Sequence, residues 1–147
     1  MRVKFKKLHP DATLPFYATP GSSGFDLVAI EDVTIPRGET RLIQTGLAVE
    51  IPEGFEMQVR PRSGLSLKTP LRVANSPGTV DQDFRGQVCV IMTNAGLLQS
   101  EDWITITKGD RIAQGVICPV VRVDLEFAQE ELTETKRGDG GFGSSGR

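Results

Sequence analysis

The segment Asn75-Ser-Pro-Gly-Thr-Val-Asp-Gln-Asp-Phe-Arg-Gly86 places a polar turn between two β-prone pieces. Residues 79–80 lead into the turn and residues 87–93 leave it, a pattern that predicts a β-hairpin with a functional tip. Asp81 directly follows the first piece, so its carboxylate stands at a strand end and reaches solvent. Phe84 lies three residues later, where turns ordinarily carry Gly or Asn. The segment suits a site that holds a ring and activates a water; the alternative is an acidic surface turn with one apolar plug.

The rest of the chain has the pattern of a single all-β domain. Its 147 residues suffice for one core, and 16 Gly and 9 Pro separate short Val, Ile, Thr and Leu runs. Alternating apolar and polar residues predict a half-exposed first strand through Val3 and Phe5. Further strands are predicted within 21–30, at 33–36, 40–51, 55–60, 71–74 and 103–107, from the turn at 108–110 to 121, and at 120–127.

Composition excludes several classes of function. A net charge of −2 and a pI of about 5.5 argue against general nucleic-acid or membrane-surface binding. No window has the length and hydropathy of a membrane span, and no apolar stretch follows the basic N-terminus. Cys89 and Cys118 lie in strand-like apolar runs and form no metal pattern, which predicts buried thiols. We therefore expect an intracellular, cytoplasmic protein with no nucleic-acid or membrane partner.

The segment Pro61-Arg-Ser-Gly-Leu-Ser66 follows a predicted strand. Pro61 should end that strand, and Ser63 could cap a short helical turn that carries Leu65 and Leu67. Gly64 would let backbone N–H groups approach an anion, and Arg62 adds a fork of donors. The segment is either a phosphate site or a plain capped turn.

Three further positions have open interpretations. Asp26 stands where an apolar run begins, so its burial would require a partner; a turn or edge Asp fits equally well. Gln114 either pairs with a ladder neighbour or faces a site. Trp103 alternates with Thr and Ile, which predicts a place in the core or in an interface.

The character of the chain changes at Gln129. Residues 129–147 are polar and then Gly-rich, so they cannot form a packed core. We assign 1–128 to the β domain and 129–147 to a mobile C-terminal arm, with a flexible linker as the alternative. Gly and Ser backbone can wrap phosphates, and the missing Gly-Lys-Ser/Thr excludes a Walker-type loop. Phe142 among the glycines argues against a linker.

Five segments, taken in order, resemble the trimeric dUTP nucleotidohydrolases (dUTPases). They are Gly24-Phe-Asp-Leu27, Pro61-Arg-Ser-Gly-Leu-Ser66, Asn75 to Gly86, Gly109-Asp-Arg-Ile-Ala-Gln114 and Arg137-Gly-Asp-Gly-Gly-Phe-Gly-Ser-Ser-Gly146. The resemblance implies a distorted jelly-roll (β-clip) domain with a flexible arm. It also implies a homotrimer with active sites shared between subunits, and Mg²⁺-dependent hydrolysis of dUTP to dUMP and pyrophosphate. Such a reaction keeps uracil out of DNA and supplies dUMP for thymidylate synthesis.

The resemblance also implies roles for residues of the segment Asn75 to Gly86, which we call the central segment. Asp81 would orient and deprotonate the water that attacks the α-phosphorus, a role suited to a carboxylate ionised at neutral pH. Uracil's edge would pair with Asn75 and with the backbone of Thr79, Val80 and Cys89. Phe84 would pack under the deoxyribose and exclude a 2′-hydroxyl; the family often has Tyr there, so any contribution of its hydroxyl is absent.

The resemblance also implies roles for residues outside this segment, some of them from other subunits. Arg62, Ser63 and Gly64 would hold the phosphates from a neighbour. The arm of a third subunit would close over the γ-phosphate and stack on uracil through Arg137, Phe142, Gly143, Ser144 and Ser145. Asp26 and Gln114 would act through water. The phosphates would hold Mg²⁺ with no direct protein ligand.

Two other functions remain as alternatives. A dCTP deaminase shares the implied fold, but that family needs a glutamate where this chain has Ile91 and an arginine where it has Leu67. A non-catalytic nucleotide sensor would need neither Asp81 nor a complete arm.

Overall fold

The computed structural model describes residues 1–96 and 102–141, and antiparallel strands dominate them. In chain order the elements are β1 (Lys4–Lys7), β2 (Phe16–Tyr17), β3 (Phe25–Val28), β4 (Val33–Pro36), β5 (Thr40–Glu50), β6 (Phe55–Arg60), α1 (Ser63–Lys68), β7 (Leu71–Val73), β8 (Gly78–Val80), β9 (Gln87–Asn94), β10 (Trp103–Ile106) and β11 (Arg111–Pro119). The predicted all-β class and jelly-roll type are confirmed. The described residues contain no helix long and apolar enough to span a membrane.

Three sheets share one core. The strand orders are β1-β5-β9-β7, β2-β3-β11-β6-β8 and β10-β4. Strand β9 shows why they pack together, because its residues alternate between half-buried and buried along its whole length. The inward residues of all three sheets form one apolar cluster, whose fully buried members include Leu27, Ile35, Ile43, Met57, Val90, Met92, Ile106 and Ile112.

The central segment differs from the predicted hairpin. Strand β8 is the edge strand of the five-stranded sheet and pairs with β6, whereas β9 pairs with β5 and β7 in the four-stranded sheet. The prediction that the two pieces pair with each other was therefore wrong. Each piece is held by its own sheet, so the two strands diverge and the turn crosses from one sheet to the other. Asp81 does directly follow β8, as predicted.

The predicted last strand at 120–127 is absent. Residues 119–139 are all exposed, and the side chains of Leu125 and Phe127 are 91% and 94% exposed. The alternation of Val121, Val123, Leu125 and Phe127 with charged residues is present in the sequence, but the described part of the chain pairs no strand with it. A strand pattern without a partner strand cannot form a ladder.

Local expectations failed at two further places, and at a third the structure decides between two alternatives. Arg62, not Ser63, occupies the N-cap position of α1, and no side chain caps it. Trp103 is 60% exposed, which excludes the core of the single chain, and its predicted place in an interface stays a prediction. Cys89 and Cys118 are half-buried rather than buried, because each lies on the outward face of its strand.

Candidate active site

A slot opens where β8 and β9 diverge. It has a volume of about 300 Å³ and is lined from both strands and the turn. The lining includes the predicted residues Asn75, Thr79, Val80, Asp81, Phe84 and Cys89. The Asn75 amide nitrogen lies 3.1 Å from where Gly78 would carry a Cβ, so that glycine lets the amide pack onto β8.

Backbone edges line both walls of this slot. Strand β8 pairs on one side only, with β6. Residues 87–90 of β9 pair with β5, while β7 pairs further along at 92–94. Within the described residues no strand pairs with the second side of either segment. The slot can therefore offer backbone N–H and C=O groups to the edge of a planar polar ring.

The turn after β8 holds Asp81 and Phe84 together. Phe84 N donates to Asp81 O at 3.2 Å, which closes a four-residue turn. The ring of Phe84 lies over Gly86, where an added Cβ would be 2.6 Å from Cζ. Gly86 thus sets how deeply the ring sits, while the Asp81 side chain stays exposed at the slot.

The walls of the slot carry little charge besides Asp81. Desolvation by burial raises the pKa of the Cys89 thiol, against a weaker hydrogen bond from Gln87 that lowers it. The thiol is therefore neutral at neutral pH. The predicted contact of Cys89 is through its backbone, which needs no ionised sulfur.

A second site lies around Asp26, which is only 7% exposed. Arg62 Nε contacts Asp26 Oδ1 at 2.8 Å, and Arg111 Nη1 donates to Asp26 Oδ2 at 3.1 Å. We call these three residues the cationic corner. The cationic corner contains two guanidinium groups and one carboxylate, so the net charge of the three side chains is +2 − 1 = +1. The sequence left open whether Asp26 is a buried residue with a partner or an Asp at a turn or edge, and the structure shows the first.

The cationic corner directs Arg62 toward a neighbouring pocket. Arg62 Nη1 donates to Arg111 O at 3.2 Å, and within the described residues Nη2 has no partner. A pocket of about 280 Å³ is lined by Asp26, Arg62, Ser63, Gly64 and Gln114. Ser63 and Gly64 are exposed at its mouth. These five predicted residues therefore come together, with free donors suited to an anion.

Gln114 lines the same pocket and connects two of the chain segments that form it. Its Nε2 donates to Pro61 O at 2.8 Å, which ties β11 to the start of the Arg62 segment. Gln114 is also the ladder neighbour of Asp26 in β3 and of Arg60 in β6. Gly24 leaves room for it, since a Cβ there would lie 2.4 Å from Gln114 Oε1.

The two pockets have no lining residue in common. The predicted residues thus line two separate pockets in one chain, although Ser63 and Gln114 share a further pocket with Ser76 and Pro77 of the segment Asn75 to Gly86. Arg137 lies in the exposed segment 119–139 and is not among the lining residues of either pocket. Phe142, Gly143, Ser144 and Ser145 lie outside the described residues.

Sequence reasoning missed Arg111, Gly24 and Gly86 as parts of the site. Arg111 belongs to a quoted segment, and its pairing with a buried carboxylate 85 positions away left no local signal. The two glycines matter through contacts that only the folded chain brings about.

Replacing Asp26 by Asn is expected to lower the free energy of unfolding by about 2 kcal/mol, because two charge-assisted contacts lose their acceptor charge at a buried position. Urea unfolding measures this change. Glu50→Gln, which removes the exposed Lys4–Glu50 pair, is the control and should leave the unfolding midpoint in place. Equal midpoints for both variants would contradict a structural role of Asp26 in the corner.

Fold and site together define a class of protein: an all-β domain of jelly-roll type with a ring-sized slot beside a carboxylate and a separate cationic corner. The comparisons with known proteins identify the family within that class. The dUTPase family model matches residues 10–146. A deoxyuridine 5'-triphosphate nucleotidohydrolase of Hydrogenobaculum sp. is 52% identical over 147 residues, with 99% of each chain covered. The chain belongs to the dUTPase family, the hydrolases that act on deoxyuridine 5'-triphosphate.

Solved structures agree with this assignment. The Staphylococcus bacteriophage 80alpha dUTPase with dUpNHpp is 29% identical with a TM-score of 0.90, and 99% of each chain is covered. A mutant dUTPase from phage phi11 of S. aureus is 25% identical with a TM-score of 0.80, covering 88% of this chain and 98% of that chain. Its structure is described as revealing the coordination of a structural Mg(II) ion.

Proposed function

We propose that this chain hydrolyses dUTP to dUMP and pyrophosphate in active sites assembled from three copies of itself. One copy supplies the slot with Asp81, a second the cationic corner and a third the arm. The observation that carries the proposal is the separation of the slot and the corner pocket, each incomplete for a nucleoside triphosphate and without shared lining residues. A second copy can bring a corner against a slot.

The slot selects uracil through its backbone edges. Thr79, Val80 and Cys89 supply backbone groups, and the Asn75 amide supplies a donor and an acceptor. Uracil presents one ring N–H between two carbonyl oxygens, whereas cytosine replaces one carbonyl with an amino group. Cytosine therefore leaves buried groups unpaired, which is costly. The narrow walls exclude the 5-methyl group of thymine.

Phe84 excludes ribonucleotides. Its ring lines the slot beside Asp81 and packs under the deoxyribose, leaving no room for a 2′-hydroxyl. The depth of the ring depends on Gly86.

Replacing Gly86 by Ala is expected to lower the ratio of kcat/KM for dUTP over UTP by roughly tenfold, because the new Cβ forces the Phe84 ring to move. Steady-state kinetics with both nucleotides measure the ratio. Gly21→Ala is the matched control, since a Cβ at Gly21 meets nothing within 4 Å. An unchanged ratio in the Gly86 variant would remove Phe84 from sugar selection.

Asp81 acts as the general base. Its exposed carboxylate at the end of β8 accepts a proton from the water that attacks the α-phosphorus. Asp26 and Gln114 support the reaction through water while they brace the corner. Arg62 Nη2, the Ser63 hydroxyl and the Gly64 backbone hold phosphate oxygens and offset charge on the leaving pyrophosphate.

Mg²⁺ is the expected metal. It keeps several waters and binds substrate phosphates in preference to all-protein cages, so the phosphates bound at the corner would hold it. Bound there, it would neutralise charge on the leaving pyrophosphate.

The arm completes the site. Residues 121–139 are exposed, and in the described residues no strand pairs with the strand pattern at 120–127, so another copy can pair with it. Arg137, Gly143, Ser144 and Ser145 then close over the γ-phosphate, and Phe142 stacks on uracil.

Pyrophosphate release from dUTP, dTTP, dCTP and UTP in the presence of Mg²⁺ tests the proposal. We expect fast release from dUTP alone. Comparable release from all four nucleotides would contradict the selective slot. Ammonia from dCTP would indicate the deaminase alternative, and tight dUTP binding without turnover would indicate a sensor.

A further inference from the structure

The exposed segment before the glycine-rich end contains a closed turn. Gly138 N donates to both Thr135 O and Thr135 Oγ1 at 3.1 Å. Gly140 N donates to Arg137 O at 3.0 Å, and Arg137 Nε donates to Gly140 O at 2.7 Å. Gly138 has φ +54°, a conformation that glycine adopts without strain. Two successive turns therefore overlap at Arg137 and Gly138.

This turn is self-contained. All four contacts join residues within 135–140, and residues 135–139 are exposed. Its geometry therefore rests on local hydrogen bonds and not on packing against the β domain. The Thr135 hydroxyl is the one side-chain acceptor that supports the first turn in the described residues.

The turn also fixes the plane of the Arg137 guanidinium. Nε is engaged by Gly140 O, which leaves the N–H groups of Nη1 and Nη2. These are the forked donors that bind a phosphate group in a bidentate manner. Arginine loses rotamer freedom when it binds, so a guanidinium already oriented binds with a smaller ordering cost.

We propose that Thr135 is a positioning residue for hydrolysis of the triphosphate: its hydroxyl preforms the turn that aims Arg137 at the terminal phosphate. The inference rests on the proposed role of the arm. Thr135 itself touches no substrate. Its effect is confined to ligands that carry the terminal phosphate, which separates it from a residue that merely stabilises the fold.

The test compares Thr135→Val with Thr135→Ser in the full chain. Valine keeps the branched shape and removes the hydroxyl, while serine keeps the hydroxyl. We expect the Kd of dUpNHpp to rise roughly fivefold in Thr135→Val, as for one lost hydrogen bond, and to return close to the wild-type value in Thr135→Ser. The Kd of dUMP, which lacks the terminal phosphate, should stay unchanged in both. Thr133→Val, two residues earlier on the same exposed segment, is the matched control.

The outcomes separate this inference from the proposed function. Wild-type affinity for dUpNHpp in Thr135→Val, together with a loss in Arg137→Ala, would overturn the role of Thr135 alone. An equal loss for dUpNHpp and dUMP, or a serine variant as weak as valine, would also overturn it. If Arg137→Ala keeps wild-type affinity for dUpNHpp, Arg137 does not bind the terminal phosphate, and its proposed role falls together with that of Thr135, while the proposed hydrolysis of dUTP is judged by pyrophosphate release.

Discussion

Replacing Asp81 by Asn is expected to lower kcat for dUTP hydrolysis by between about a hundredfold and ten-thousandfold, the range that general-base catalysis contributes. The amide keeps the size of the side chain and the turn, because Phe84 N bonds to the backbone oxygen of residue 81. The substitution therefore removes the proposed base without opening the slot. Measurements of kcat and of dUpNHpp binding should show lost turnover with retained affinity.

Asp83→Asn is the matched control for this variant. Asp83 lies two residues later in the same exposed turn but does not line the slot. Its kcat should stay close to that of the wild type. Equal losses in the two variants would mean that the charge of the turn matters and that Asp81 is not the base.

A chain ending at Ala128 is expected to lose about a hundredfold or more in kcat/KM for dUTP, since the arm would no longer orient the phosphates or exclude water. Its thermal midpoint should change little, because residues 129–139 are exposed. Steady-state kinetics and thermal unfolding of the same preparation measure the two effects.

Arg137→Lys refines this result, since lysine keeps the positive charge and loses the fork of donors. We expect it to reproduce part of the loss in kcat/KM. A truncated chain with wild-type kcat/KM would contradict any role of residues 129–147 in the reaction.

Local sequence patterns were sufficient for much of the fold. Strands at Val33–Pro36 and Phe55–Arg60 have the predicted bounds, because alternation ends there at a Pro-containing turn signal. The position of Asp81 at a strand end also followed from the residues before it. No sequence pattern predicts the two-residue strand β2, since so short a strand shows no alternation.

Which strands pair with each other, and which distant residues come into contact, could not be predicted in the same way. The pieces on either side of Asp81 have β-prone residues, but their pairing depends on which sheet holds each of them. The alternation at 120–127 predicts a strand without saying in which chain its partner lies. Arg111 joins the corner through a contact with Asp26 that no local pattern encodes. Long-range pairing therefore decided the parts of the site that sequence missed.

Activity of mixed subunits tests the divided site most directly. The Asp81→Asn and Arg62→Ala variants should each be nearly inactive, since one lacks the proposed base and the other the proposed phosphate donor. After subunit exchange in equal amounts, a site that takes its slot and its corner from different copies has both intact in roughly a quarter of cases. We expect recovery of about that fraction of wild-type pyrophosphate release from dUTP. A mixture no more active than its two components would contradict a site shared between copies.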